Sequence, residues 1–145
     1  MDSPYLILLA GGHVRFRQEV KKIIDQAEGM KVVGEVATGQ ALFDFLETTT
    51  PHLLILDISL PLLRSLEATK KIRGKYPGIK VLILVTDWNR EYLDRFLSAG
   101  ASGCILKQNA DVELSKAIET VRQGGVYPPH NFTGGTPSEP QFVCS

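Results

Sequence analysis

The 145 residues are enough for one domain with a real core, and sixteen Lys plus Arg balance sixteen Asp plus Glu at an estimated pI of 6.8. That balance points to neither nucleic acid nor an anionic membrane as a partner. Two cysteines, Cys104 and Cys144, give no disulfide framework and suit a reducing cytoplasm.

The first apolar run, Tyr5-Leu6-Ile7-Leu8-Leu9-Ala10, reads as a strand and is too short for a signal peptide or a membrane span. It closes on Gly11-Gly12, and Phe16, Val20, Ile23 and Ala27 then recur at helical spacing. A second strand is expected over 32–37, followed by a helical stripe of Leu42, Phe45 and Leu46. Third and fourth strands are expected over 53–58 and 81–86. Leu53-Leu54-Ile55-Leu56 and Val81-Leu82-Ile83-Leu84-Val85 are continuously apolar, the pattern of central parallel strands covered on both faces. The helix between them, from Leu62 to Arg73, has the weakest pattern, although Pro61 suits its entry. Leu93, Phe96 and Leu97 mark the next helix, 103–107 the last and shortest strand, and Leu114, Ala117, Ile118 and Val121 the clearest stripe of all. Gly29, Gly74, Pro77-Gly78, Gly100 and Gly124-Gly125 punctuate the ends. From Pro128 prolines, glycines and scattered polar residues replace periodicity. The expectation is therefore an α/β domain over 1–127 and a flexible tail or linker over 128–145. Its architecture is a doubly wound, five-stranded parallel sheet in the flavodoxin-like order 2-1-3-4-5, with helices on both faces.

In such sheets ligands bind beyond the carboxyl ends of the strands, at the switch point between the first and third. Gly11-Gly12 and Asp57 occupy those ends, and Thr86 and Lys107 end the fourth and fifth strands. The expected pocket therefore holds one carboxylate, one hydroxyl and one ammonium. Trp88, two residues past Thr86, is expected at its rim. A glycine turn before a helix is also a generic anion cradle, but no third glycine and no Lys-Ser/Thr follows. No Gly-x-Ser-x-Gly elbow and no metal-spaced His/Cys cluster occurs.

Residues 4 to 128 resemble the receiver domain of two-component response regulators, above all the subfamily joined to a LuxR-type helix-turn-helix. The resemblance rests on Leu8-Leu9-Ala10 through His13, Phe16-Arg17, Val32-Val33-Gly34-Glu35, Leu56-Asp57 with Pro61, and Leu66-Glu67-Ala68. It continues through Ala99-Gly100-Ala101-Ser102-Gly103, Leu106-Lys107 and Gly124-Gly125-Val126-Tyr127. It implies that Asp57 stands where a histidine kinase delivers a phosphoryl group. Thr86 stands where the switching hydroxyl does, and Lys107 where a lysine pairs with the acceptor.

Several departures qualify what is implied. In the family an acid pair ends the first strand and helps hold Mg²⁺, whereas here Gly11 and Gly12 stand there. Mg²⁺ takes near-octahedral oxygen ligation, usually with carboxylates. Losing one charge-stabilising group costs about 3 kcal/mol of barrier, on the order of a hundredfold in rate. Asp87 follows Thr86 where the family is usually small; it would crowd a phosphoryl group or partly replace the missing ligands. Cys104 occupies the position of the aromatic switch residue, and a buried inert thiol is expected there. Leu62-Leu63-Arg64-Ser65 replaces a glycine-bearing loop.

The expected function is thus a non-enzymatic, cytoplasmic receiver with no bound metal or cofactor, Mg²⁺ included. It would act by phosphorylation-independent contacts with protein partners or as a homodimer, through the fourth and fifth helices or the first and fifth. Neither nucleic acid nor membrane is expected to bind this domain. One alternative is a conventional phosphorelay receiver, phosphorylated on Asp57 by a histidine kinase. Another is a small-anion sensor at Gly11-Gly12.

Overall fold

The structure, a computed structural model, describes residues 3–57, 62–86 and 90–127, without the side chains of Leu62 and Leu63. The expectations for Pro61, the side chains of Leu62-Leu63, Asp87, Trp88, Cys144 and the tail over 128–145 lie outside the described residues.

Strands β1 (Tyr5–Ala10), β2 (Met30–Val36), β3 (Leu53–Asp57), β4 (Lys80–Val85) and β5 (Gly103–Leu106) alternate with five helices. These are α1 (Val14–Asp25), α2 (Gly39–Leu46), α3 (Leu62–Lys75), α4 (Arg90–Ser98) and α5 (Ala110–Arg122). Every pairing is parallel, and the sheet order is β2-β1-β3-β4-β5 as expected. The continuously apolar runs are the central strands β3 and β4, covered on both faces.

Successive side chains of a strand point to opposite faces, so each central strand feeds two cores. Leu8, Leu54, Leu56, Val81, Ile83, Cys104 and Leu106 pack with Leu42, Ile72 and Phe96 under α2, α3 and α4. Ile7, Leu9, Leu53, Ile55, Leu82, Leu84 and Ile105 pack with Val20, Ile24, Leu114 and Ile118 under α1 and α5. The stripe of α5 is buried as expected. That of α1 runs through Val20 and Ile24, whereas Ile23 is half-buried and Ala27 lies past the helix end. The weakest pattern produced the longest helix, α3, with Gly74 inside its last turn rather than ending it. Arg73 closes that end by donating to the Pro77 and Ile79 carbonyls at 2.7 and 2.6 Å.

Two boundary differences matter for the site. β4 ends at Val85, leaving Thr86 just beyond it. Lys107 opens a single 3-10 turn, Lys107–Asn109, rather than closing β5. At the far end of α5, Tyr127 returns to β5. Its N–H donates to the Ser102 carbonyl at 2.9 Å, and its own carbonyl accepts from Cys104 N–H at 3.0 Å.

Candidate functional site

Asp57 is the last residue of β3 and shares strand parity with Leu53 and Ile55, so its side chain turns toward the α1/α5 face. It is buried, only 2% exposed. β5 lies two strands away, and the 3-10 turn after it aims Lys107 back over the sheet end. Lys107 Nζ stands 3.0 Å from Asp57 Oδ2, an ionic contact rather than a directed hydrogen bond. The same ammonium lies 3.2 Å from His13 Nδ1 and 4.5 Å from the centre of the Phe16 ring. A carboxylate, an imidazole and an aromatic face therefore hold one cation in place. His13 is the N-cap of α1, yet its side chain does not cap the helix, and its ring reaches Lys107 instead.

Gly11 packs directly on Asp57. A Cβ at Gly11 would stand 2.6 Å from Asp57 Cβ and 3.1 Å from Oδ2, closer than side chains approach. Both backbone polar groups of Gly11 are engaged: its N–H donates to the Val36 carbonyl at 2.9 Å, and its carbonyl accepts from Arg17 Nη1. Arg17 in turn pairs with Glu35 at 3.2 Å, tying the turn after β1 to β2. An anion at this turn would find the Gly11 amide already used and a carboxylate beside it.

Among the described residues, the donor set at the strand ends does not fit Mg²⁺. Among the described strand ends, Asp57 supplies the sole carboxylate and Lys107 stands against its Oδ2. Gly11 and Gly12 offer no side-chain oxygen, and no group of three His, Cys, Asp or Glu among the described residues could hold a metal ion. Beside Asp57 the remaining cavity is about 10 Å³ and walled largely by Leu9, Phe16, Val20, Ile55 and Leu84. That is about the space of one water.

Thr86 is exposed, and no hydrogen bond among the described residues links it to Asp57 or Lys107. Of the three polar strand ends expected to meet, the structure brings two together. Cys104 is buried in the same core cluster as Leu106 and Phe96, and burial pushes its thiol well above the ordinary value of 9.0. Burial and the 2.7 Å hydrogen bond to Glu113 likewise raise Tyr127 above 10.0. In both cases the neutral form is favoured by folding. The stability they contribute is therefore complete below their ordinary values and is lost as pH rises past 9.0 and 10.0. Cys104 alone should remove up to about 1.4 kcal/mol per pH unit over that alkaline range. Urea titrations from about pH 8 to 11 should show this fall, and Cys104→Ala should make it shallower while leaving the part due to Tyr127. A wild-type profile level across that range would refute the assignment.

The sequence placed His13 only in a matching stretch, and Phe16 in a matching stretch and a helical stripe, with no role for either at the site. Arg17 and Glu35 had entered as parts of matching stretches, with no role. The available signal was spacing: His13, Phe16 and Arg17 occupy the first turn of the helix that follows the Gly11-Gly12 end, where they face whatever closes the sheet.

The chain as a whole is similar to known proteins. A family model described as the response regulator receiver domain matches residues 7–119. The transcriptional regulatory protein DegU of Brevibacillus brevis is 32% identical over 126 residues, covering 87% of this chain and 53% of that protein. The oxygen regulatory protein NreC of Staphylococcus epidermidis is 38% identical over 122 residues, covering 83% and 56%. The chain thus spans about half the length of the curated relatives it matches. Among solved structures, a LuxR-family two-component response regulator from Aurantimonas sp. SI85-9A1 superposes with a TM-score of 0.79 at 29% identity, covering 86% of this chain and 89% of that one. Together with the sheet order and the helices, these matches establish that the chain belongs to the response-regulator receiver domains of two-component systems.

Proposed function

We propose that this receiver signals through protein contacts without Mg²⁺-dependent phosphorylation, with Asp57 held as one half of a structural ion pair. The observation that carries this is the 3.0 Å approach of Lys107 to a buried Asp57 packed against Gly11. Phosphoryl transfer needs cationic charge aimed at the developing oxyanions, and a divalent ion normally provides it. Here a single ammonium is committed to neutralising the carboxylate. The domain would extend over 1–127 in the cytoplasm, with 128–145 as a linker. Its partners would be other proteins or a second copy, through α4–α5 or α1–α5. The regulatory names of the relatives support a part in transcriptional control within a longer protein.

Asp57 and Lys107, which by resemblance stand where the family has its acceptor and its lysine, favour a second reading, phosphorylation by a histidine kinase with Asp87 or a partner's group compensating. Trp88, the single tryptophan, gives the test. Its fluorescence should stay flat as Mg²⁺ and then beryllofluoride are added, and intact mass should be unchanged after acetyl phosphate. A Mg²⁺-dependent response with an adduct on Asp57 would establish the second reading instead.

A further inference from the structure

On the opposite face of the sheet, α3 carries Arg64, Lys70, Lys71, Arg73 and Lys75 against Glu67 alone, in a chain of zero formal net charge. In α1 and α4, by contrast, cations pair within their own helix, through Lys21–Asp25, Arg90–Asp94 and Arg95–Glu91. No ion pair found among the described residues involves an α3 cation. Lys71 and Lys75 even stand four apart, a like-charge spacing that destabilises a helix.

This charge borders a groove of about 730 Å³ between α2 and α3. Half-buried Phe43 and buried Ala68 give it apolar ground, and Lys71 Nζ stands 5.3 Å from the centre of the Phe43 ring. Exposed Arg64, Lys70 and Lys71 stand around it. Gly39, the first residue of α2, also lines it. A Cβ there would meet nothing within 4 Å, so packing does not require glycine at this place. Glycine is among the poorest helix formers, and its effect here is to leave the groove open.

We propose that the α2–α3 groove docks an acidic segment of another protein, with carboxylates on Arg64, Lys70 and Lys71 and an apolar side chain on Phe43 and Ala68. Charge complementarity and the apolar ground select this occupant. Glu67 lines the same groove and would repel phosphates and carboxylates alike, so the choice of a protein segment over nucleic acid rests on the apolar ground. None of the residues lining this groove lines the cavity beside Asp57.

The probes are a short labelled peptide of alternating Glu and Leu, the same peptide with Lys for Glu, and a short single-stranded DNA of matching charge. Anisotropy at physiological ionic strength, where diffuse attraction is screened, should show saturable binding of the Glu-Leu peptide alone. Lys71→Glu should weaken that binding by about tenfold or more. Gly39→Phe should block it by filling the groove, with thermal unfolding unchanged. Lys75→Glu, on the same helix outside the groove, should leave it within about twofold. Failure of the Glu-Leu peptide to bind would overturn the proposal, as would DNA binding as tightly. Equal losses from Lys75→Glu and Lys71→Glu would do the same, by exposing an unspecific charge effect.

Discussion

Lys107→Ala should lower the free energy of unfolding by about 3–5 kcal/mol, the largest effect expected of any single polar substitution here. The reason is the burial of its partner. Asp57 has a side chain only 3% exposed, and Lys107 itself is 13% exposed, so solvent screens the pair poorly. Removing the ammonium leaves a carboxylate among Leu9, Ile55 and Leu84 with its cation gone. Removing both charges is different, because a buried pair recovers little more than its desolvation cost. Asp57→Asn with Lys107→Met should therefore regain most of the loss. The Phe16 face and His13 Nδ1 would each lose a contact with the ammonium, but these are smaller contributions, on the order of 1 kcal/mol for the ring. Urea unfolding of Asp57→Asn, Lys107→Met and the double variant completes a cycle. A loss below about 1 kcal/mol for Lys107→Ala would mean that the pair behaves as a surface contact, and the structural role of Asp57 would fall with it.

Gly11→Asp should be nearly as damaging, by about 2–4 kcal/mol, from overpacking and like charge together. Its Cβ would collide with Asp57 Cβ, an atom next to the backbone that cannot swing aside like the tip of a long side chain. The new carboxylate would then sit beside Asp57, where Lys107 already pairs with the first and Arg17, which reaches the Gly11 carbonyl, is paired with Glu35. Restoring one acid of the missing pair is thus not a gain of function in this frame. Only an added cation could offset the second charge. Millimolar Mg²⁺ should raise the melting temperature of Gly11→Asp/Gly12→Asp and leave that of the parent unchanged, since a ligand stabilises only a fold that binds it. A parent protein stabilised by Mg²⁺ would contradict the mismatch between its donor set and the ion.

How much of this could be foreseen follows from the range of the forces involved. Local pattern was sufficient for the strands: continuous apolar runs at Leu53–Leu56 and Val81–Val85 can satisfy both their faces only inside a parallel sheet. It was sufficient for α5 as well, whose stripe has one solution. It failed in detail for α1, where Ile23 and Ile24 compete for one inward position and the sheet selects Ile24. It undervalued α3, whose buried Leu66, Ala68, Thr69 and Ile72 gain their helical state from packing rather than from a strong stripe of their own.

The strand-end residues were legible from sequence because parallel topology gathers strand termini at one edge; their contacts were not. Whether Lys107 reaches Asp57, and that His13 meets it across 94 positions of sequence, depends on the 3-10 turn after β5 and on the entry angle of α1. Thr86, placed beside the pair by the same strand-end logic, stands outside it because β4 ends one residue earlier. The glycine at position 11 reads in sequence as a missing acid. Only the packed structure reveals it as the surface on which Asp57 rests, because close approach between side chains from different strands is set by tertiary geometry and leaves no periodicity along the chain.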